Sequence, residues 1–247
     1  LKSGSKLATF QVEHTRDIRD TTRIFSNSLN YYYDNPNSIS PTREVSTDSY
    51  GDTYITYTTR PNDYHPSDPL MGALQNSNII NKEVERVVLV KKLNEAKPKI
   101  ISGLLSKYSP LGYKLSMHKL ELMTSQGLVG FKFSLSPQGE LPDNLFGQAN
   151  FDPSSSYRIK DEFIYDSNGN LIQTLSNGIL ATSYLWGYKN LYPIAEVKNA
   201  LPSDILFLNF EYQSPDIYSS DGLVSSVSRT GKACYDLSYG AVSKVGL

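Results

Sequence analysis

The chain has 247 residues, a formal net charge of −1 and a single cysteine, Cys234. The near balance of Lys and Arg against Asp and Glu excludes the basic footprint of a nucleic-acid binder and the polybasic patch of a membrane-surface protein. One cysteine excludes an intrachain disulfide, and no run reaches the length of a transmembrane helix, so no membrane insertion is expected.

Tyrosine is in excess, with 18 Tyr against 9 Phe. That composition suits half-exposed sheets, where a phenol buries its ring and keeps its hydroxyl wet. Leu1-Lys2-Ser3-Gly4 opens without a starting Met or an apolar signal segment, so a fragment of something longer, or a processed chain, is expected. Cys234 is expected to be a buried small residue.

In chain order, Leu7–His14 alternates as a strand, and Arg23-Ile24-Phe25 leads into a second at Leu29–Asp34. Asn35-Pro36-Asn37 breaks it, because Pro cannot donate to a ladder. Thr42–Thr47 and Thr53–Thr58 flank Asp48-Ser49-Tyr50-Gly51-Asp52, which predicts a hairpin with a longer loop. Pro61, Pro66 and Pro69 make residues 60–82 irregular, with a short helix predicted around Pro69–Gln75. Lys82–Leu93, Lys99–Tyr108 and Tyr113–Met123 are apolar and β-branched, and read as three antiparallel strands.

Phe131-Lys132-Phe133-Ser134-Leu135 alternates, and the Pro- and Gly-containing segment Ser136–Ser156 is expected to loop over the surface. The stretch Tyr165-Asp166-Ser167-Asn168-Gly169-Asn170, followed by Asn177-Gly178, places two Asn-Gly pairs one strand apart. Asn-Gly between alternating runs predicts type I′ turns, so residues 159–188 read as a three-stranded meander. Tyr192–Val197 reads as an edge strand entered through Pro193. Composition shifts after Ala200. Ile205–Tyr212 and two runs within Gly222–Leu237 read as further strands, giving a division into 1–200 and 201–247.

Several segments share a loose form, an aromatic strand followed by a turn rich in Asn, Asp or Gly. Tyr31-Tyr32-Tyr33-Asp34, Lys107–Gly112 and Ile164–Leu171 are examples of this degenerate repeat.

Chemistry is sparse. His14, His65 and His118 are far apart without zinc-ligand spacing, and read as solvent-facing or strand-surface residues. Gly231-Lys232 lacks the rest of a phosphate loop. Asp166-x-Asn168-x-Asn170 imitates the start of a calcium loop, but Leu171 stands where Gly is needed and Asn177 where a bidentate Glu is needed. The carboxylate pairs Asp161-Glu162 and Glu83/Glu85 read as solvated strand faces, the latter two on one face. Tyr184, Trp186 and Tyr188 share one face if their strand runs that far. Such a row can stack on sugar rings or form a protein-binding patch, or it can be an aromatic ladder that holds the sheet. No cofactor, metal site or catalytic residue is expected.

Tyr165-Asp166-x-x-Gly169-Asn170-Leu171 resembles the YD motif of RHS/YD-repeat proteins. Together with Ser183-Tyr184-Leu185-Trp186-Gly187-Tyr188, Tyr192-Pro193-Ile194-Ala195 and Val197-Lys198-Asn199-Ala200, it resembles the end of the RHS-like region in large surface or secreted proteins of Bacteroidetes-type bacteria. Gly51-Asp52, Asn78-Ile79-Ile80 and Val84-Glu85 fit the pattern more loosely. The resemblance covers residues 160–200 and extends faintly over 30–160. Phe210-Glu211 with Ser228-Arg229-Thr230-Gly231-Lys232 is similar to the opening of jelly-roll, carbohydrate-binding-like modules.

The resemblance implies an all-β fold of antiparallel hairpins and meanders in an extended twisted sheet, followed by the first strands of a jelly-roll-like module. It implies a non-catalytic structural or binding segment of a large exported polypeptide, at the cell surface or outside the cell, with type IX secretion as the family's route. The partners implied are other segments of the same polypeptide, secretion machinery, surface proteins or glycans, in an adhesive role. Two alternatives stay open: part of a shell that encapsulates and delivers a toxin effector, and a carbohydrate-binding or polysaccharide-processing module.

Overall fold

The computed structural model describes residues 8–20, 22, 24–205, 223–224 and 234–235. The fold is all-β, built from antiparallel hairpins and meanders, and it divides into two compact units, Leu1–Glu162 and Phe163–Leu247.

The first unit holds β1 (Phe10–Arg16), β2 (Ile24–Tyr32), β3 (Arg43–Thr47), β4 (Thr53–Thr59), β5 (Glu85–Lys91), β6 (Lys99–Tyr108), β7 (Lys114–Leu120), β8 (Gln126–Gly127) and most of β9 (Tyr157–Tyr165). Hydrogen-bonded order follows the chain from β1 to β7 and then β9, with β8 against β6. Period-two alternation sends one face inward. Tyr32 lies opposite Arg43, Arg43 opposite Tyr57, Tyr57 opposite Val87 and Val87 opposite Gly103. β1 is exposed along all seven residues.

The inward face is covered by α1 (Pro69–Asn76) and by residues 128–151. Met71 and Leu74 of the helix join Val87, Leu89, Ile100, Leu105, Phe131 and Phe133 in the core. Local chemistry sets both helix ends. Asp68 accepts from the N–H of Leu70 (3.0 Å) and Met71 (2.8 Å), with Pro69 in the first turn. At the other end Asn78 takes φ of 57° and donates to Gln75 O (2.9 Å), while Ile79 N–H donates to Leu74 O (2.8 Å), a Schellman motif.

Phe131–Leu135 forms no strand. Its alternation buries Phe131, Phe133 and Leu135, yet its backbone bonds to side chains and turns; Ser134 N–H, for example, donates to Glu85 Oε2 (2.8 Å). Ser136–Ser156 is irregular as expected but does not simply cross the surface. Phe146 is buried, Gly147 N–H donates to Asp63 O (2.7 Å), Phe151 N–H to Asp68 Oδ2 (2.9 Å), and Asp143 accepts from the Tyr57 hydroxyl (2.6 Å). These long-range bonds turn a loop into the lid of the core. The same Asp143 and Asp34 flank Arg43, whose guanidinium lies 4.2 Å over the Tyr32 ring. Burial works against the Arg43 charge, but the two carboxylates outweigh it and raise its pKa.

Two further expectations are corrected here. His118 is buried, not solvent-facing: it shares a hydrogen bond with Ser116 Oγ (2.8 Å), and burial, helped by Lys107, lowers its pKa. Glu83 and Glu85 do not form a solvated face, because β5 begins at Glu85 and that residue is 1 % exposed.

The second unit opens with the last residues of β9 and continues through β10 (Leu171–Ser176), β11 (Leu180–Gly187) and β12 (Tyr192–Lys198), adjacent in that order. β13 (Leu223–Val224) and β14 (Cys234–Tyr235) pair antiparallel. The strand expected at Ile205–Tyr212, beyond Ile205, lies outside the described residues. So do the segments likened to a jelly-roll opening and the Cys234 side chain.

Among the described residues one hairpin corner occurs three times. At Asp48–Asp52, Ser109–Tyr113 and Asp166–Asn170 the first N–H donates to the fifth C=O, at 3.0, 2.8 and 2.9 Å. The fourth residue, always Gly, donates to the first C=O, at 3.1, 2.9 and 3.1 Å. Gly51, Gly112 and Gly169 take φ of 82°, 81° and 82°, which a side chain would strain. The first side chain accepts from the fifth N–H, at 3.0, 3.2 and 2.8 Å. The repeat seen in the sequence thus holds at Lys107–Gly112 and Ile164–Leu171. At Tyr31–Asp34 the aromatic strand β2 also runs into an Asn-rich turn and then β3, but by a different corner, in which Asp34 N–H goes to Thr42 Oγ1.

The two Asn-Gly pairs also differ. Asn177 and Gly178 both take positive φ, 52° and 69°, as a type I′ turn requires, in a loop that extends to Ile179. Of the pair at 168–169, Gly169 alone does so, because there the five-residue corner prevails.

Candidate functional site

In the second unit β10, β11 and β12 form an open depression of about 530 Å³ lined by Leu171, Tyr184, Trp186, Pro193, Ile194, Ala195 and Glu196. Its shape follows from one proline. Pro193 has no N–H for the β11–β12 ladder, and the register shifts between Leu185 and Trp186, so that Trp186 stands opposite Pro193 while Leu185 stands opposite Ala195. The surplus residue, Ile194, packs against Gly187, where an added Cβ would lie 2.8 Å from Ile194 Cγ2.

Trp186 is held in place. Its indole Nε1–H donates to Leu171 O at 2.8 Å, which spans from β11 to the start of β10. Tyr184 stands opposite Glu196. Glu196 is exposed and lies 4.0 Å from Lys198.

The expected row of three aromatics is a pair. β11 ends at Gly187, and Tyr188, Lys189 and Asn190 follow in left-handed conformations with φ of 51°, 61° and 63°. Each such residue costs on the order of 1 kcal/mol. The loop is held by Leu191 N–H to Gly187 O (3.1 Å) and by Asn170 Nδ2 to Asn190 O (2.9 Å). Tyr188 turns away to meet Tyr192 edge-on, 6.1 Å between ring centres.

Tyr165 ends β9, and Asp166 holds the corner described above. Asp166 Oδ1 accepts from the N–H of Asn168 (2.9 Å) and Asn170 (2.8 Å). Desolvation pushes the Asp166 pKa up, but these backbone bonds outweigh it and leave it lowered. The carboxylate that mimics a calcium ligand is therefore engaged in the turn. Among the described residues no three His, Cys, Asp or Glu side chains converge as a metal site, and no helix is long and apolar enough to cross a membrane.

A cluster of buried ionisable groups lies elsewhere, in the core of the first unit. Glu85 Oε2 accepts from Ser134 N–H (2.8 Å) and Oγ–H (2.6 Å), and Oε1 from the Tyr157 hydroxyl (2.8 Å). Ser134 Oγ is 2.6 Å from the Tyr64 hydroxyl, which is 2.8 Å from Thr59 Oγ1, which accepts from Glu85 N–H at 3.1 Å. With Ser134 donating to Glu85, one consistent proton arrangement runs around a ring from the Glu85 amide back to its own carboxylate. Burial raises the pKa of Glu85, Tyr64 and Tyr157. Among the described residues Glu85 forms no ion pair, and Thr59, Tyr64 and Ser134 are at most 1 % exposed. The ring is closed to substrate and joins β4, β5, β9 and the covering segment.

Sequence reasoning missed this cluster. A signal was present: Glu85 shares strand parity with Val87 and Leu89, an acid on an apolar face.

No family model matches the chain, and no curated protein sequence matches it.

Proposed function

We propose that this chain is a non-catalytic structural and binding segment of a long exported bacterial polypeptide of the YD-repeat kind, acting at the cell surface or outside the cell. The observation that carries this reading is the recurrent corner. The same five-residue turn, closed by the same hydrogen bonds, joins β3 to β4, β6 to β7 and β9 to β10. Repetition of one corner is how a meander is extended unit by unit. The Tyr165-Asp166 pair, which carries the resemblance, is the entrance to one of these corners. The buried Glu85 sits in a sealed ring and offers no access to a substrate.

The groove adds the binding half of the proposal. It presents two aromatic rings, one fixed by a hydrogen bond, beside apolar residues and one exposed carboxylate. It holds no nucleophile paired with a base, so it suits recognition over turnover. A sugar ring stacked on Trp186 with hydroxyls on Glu196 fits that chemistry.

The test uses the purified chain. Trp186 is the one tryptophan in the sequence, so tryptophan emission, excited selectively over the tyrosines, reports on the groove. A glycan array and titrations of soluble oligosaccharides monitored by that emission separate a sugar-binding segment from a purely structural one. Incubation with polysaccharides is expected to give no turnover. Hydrolysis that disappears in Glu196→Gln would replace the proposal with the polysaccharide-processing alternative.

A further inference from the structure

Ser167-Asn168-Gly169 and Ser176-Asn177-Gly178 are the same tripeptide in two different corners. In an Asn-Gly pair the glycine amide nitrogen can attack the asparagine Cγ. The bond to the side-chain nitrogen breaks, and that nitrogen leaves as ammonia with the glycine N–H proton carried through solvent. A succinimide ring remains. Water then opens either of its carbonyls, giving aspartate or isoaspartate. Glycine permits this because it puts no side chain in the way of the ring. Since Ser precedes and Gly follows in both places, the fold decides how the two sites differ.

At the first site the attacking atom is engaged. Gly169 N–H donates to Asp166 O (3.1 Å). Asp166 Oδ1 grips the N–H of Asn168 (2.9 Å) and of Asn170 (2.8 Å), and Asn170 Nδ2 donates to Asn190 O (2.9 Å). The backbone around Asn168 is clamped on both sides.

At the second site Gly178 N–H donates to no group among the described residues. Asn177 and Gly178 are both exposed, and an added Cβ on Gly178 would find nothing within 4 Å. At this corner Ile179 N–H donates to Ser176 O at 3.1 Å. Attack requires rotation about the Cα–C and Cα–Cβ bonds of Asn177, beside a Gly178 that has open space around it.

We propose that Asn177 is a site of spontaneous deamidation and isoaspartate formation in the folded protein, and that the Asp166 corner protects Asn168 from the same reaction. Isoaspartate inserts a backbone methylene between Ser176 and Gly178, in the corner that sets the β10–β11 register. Both products add a negative charge at that tip.

The experiment is incubation of the purified chain at mildly alkaline pH, with peptide mapping by mass spectrometry and enzymatic methylation of isoaspartate. Conversion at Asn177 is expected to outrun Asn168 by at least about tenfold in native buffer, since local opening limits the clamped site. The two rates are expected to converge in denaturant. Asp166→Ala is expected to raise conversion at Asn168 toward the Asn177 rate while leaving Asn177 unchanged. Equal native rates, faster conversion at Asn168, or an Asp166→Ala variant whose Asn168 stays as slow as before would each overturn the assignment.

Discussion

The phenol of Tyr157 occupies the space that a side chain on Gly103 would need. A Cβ built on Gly103 would come within 3.0 Å of the Tyr157 hydroxyl oxygen and 3.2 Å of its Cε1, and that same hydroxyl donates to Glu85 Oε1 at 2.8 Å. A missing side chain on β6 is therefore what lets a tyrosine of β9 reach an acid on β5.

Gly103→Ala tests this directly. Ala would gain roughly 0.4–1 kcal/mol through the unfolded state, but displacing Tyr157 leaves a buried acceptor short of its donor at about 1–3 kcal/mol. The variant is expected to be less stable, by urea unfolding. In a Tyr157→Phe background the hydroxyl is gone and the same substitution is expected to cost less. Strictly additive costs would separate the two residues.

Glu85 gives a pH dependence of defined sign. Burial raises its folded pKa above the unfolded value near 4.3. Between those two values the folded protein holds more protons than the unfolded chain. The stability contributed is full below the unfolded pKa and is lost as pH rises through the folded one. Relative to Glu85→Gln, the wild type is expected to lose stability on going from about pH 4 to about pH 7. Unfolding free energies measured in parallel across that range check this, and a pH-independent difference would contradict it. Glu85→Ala is expected to be worse than Glu85→Gln, because it strands Ser134 N–H and the Tyr157 hydroxyl.

The corners can be made more alike. Asp48 and Asp166 each take two backbone N–H groups on one oxygen, whereas among the described residues Ser109 accepts from Tyr113 N–H alone, at 3.2 Å. Ser109→Asp supplies an acceptor for Leu111 N–H as well. It is expected to stabilise the chain by about 0.5–1 kcal/mol, seen as a higher urea midpoint with unchanged slope. A loss of stability would mean that the three turns are not equivalent.

Gly187→Ala addresses the groove. The new Cβ would meet Ile194 Cγ2 at 2.8 Å and must push β12 away from β11 beside Trp186. A shift in the emission of the single tryptophan is expected, with a loss of stability of about 1–3 kcal/mol. An unaltered spectrum would show that Ile194 yields without moving the indole.

Much of the framework was legible. The alternation at 42–47 and 53–58, the proline at the start of α1 and the edge strand entered through Pro193 are signals written within a few consecutive residues. The groove was half legible: Tyr184 and Trp186 were visible as members of a row of three with Tyr188, but the bulge opposite Pro193 and the exit of Tyr188 into a left-handed loop were not. Phe131–Leu135 alternates without being a strand, because alternation marks which side chains face inward and does not say whether a partner strand is present.

Local patterning by itself determined an all-β chain with reversing corners, since strand parity and left-handed glycines are properties of neighbouring residues. Only the tertiary structure decided that Glu85 is sealed in the core and that residues 128–151 close over it. Thr59, Tyr64, Glu85, Gly103, Ser134 and Tyr157 are remote in sequence. A buried carboxylate is tolerated only where donors from all those places arrive at once.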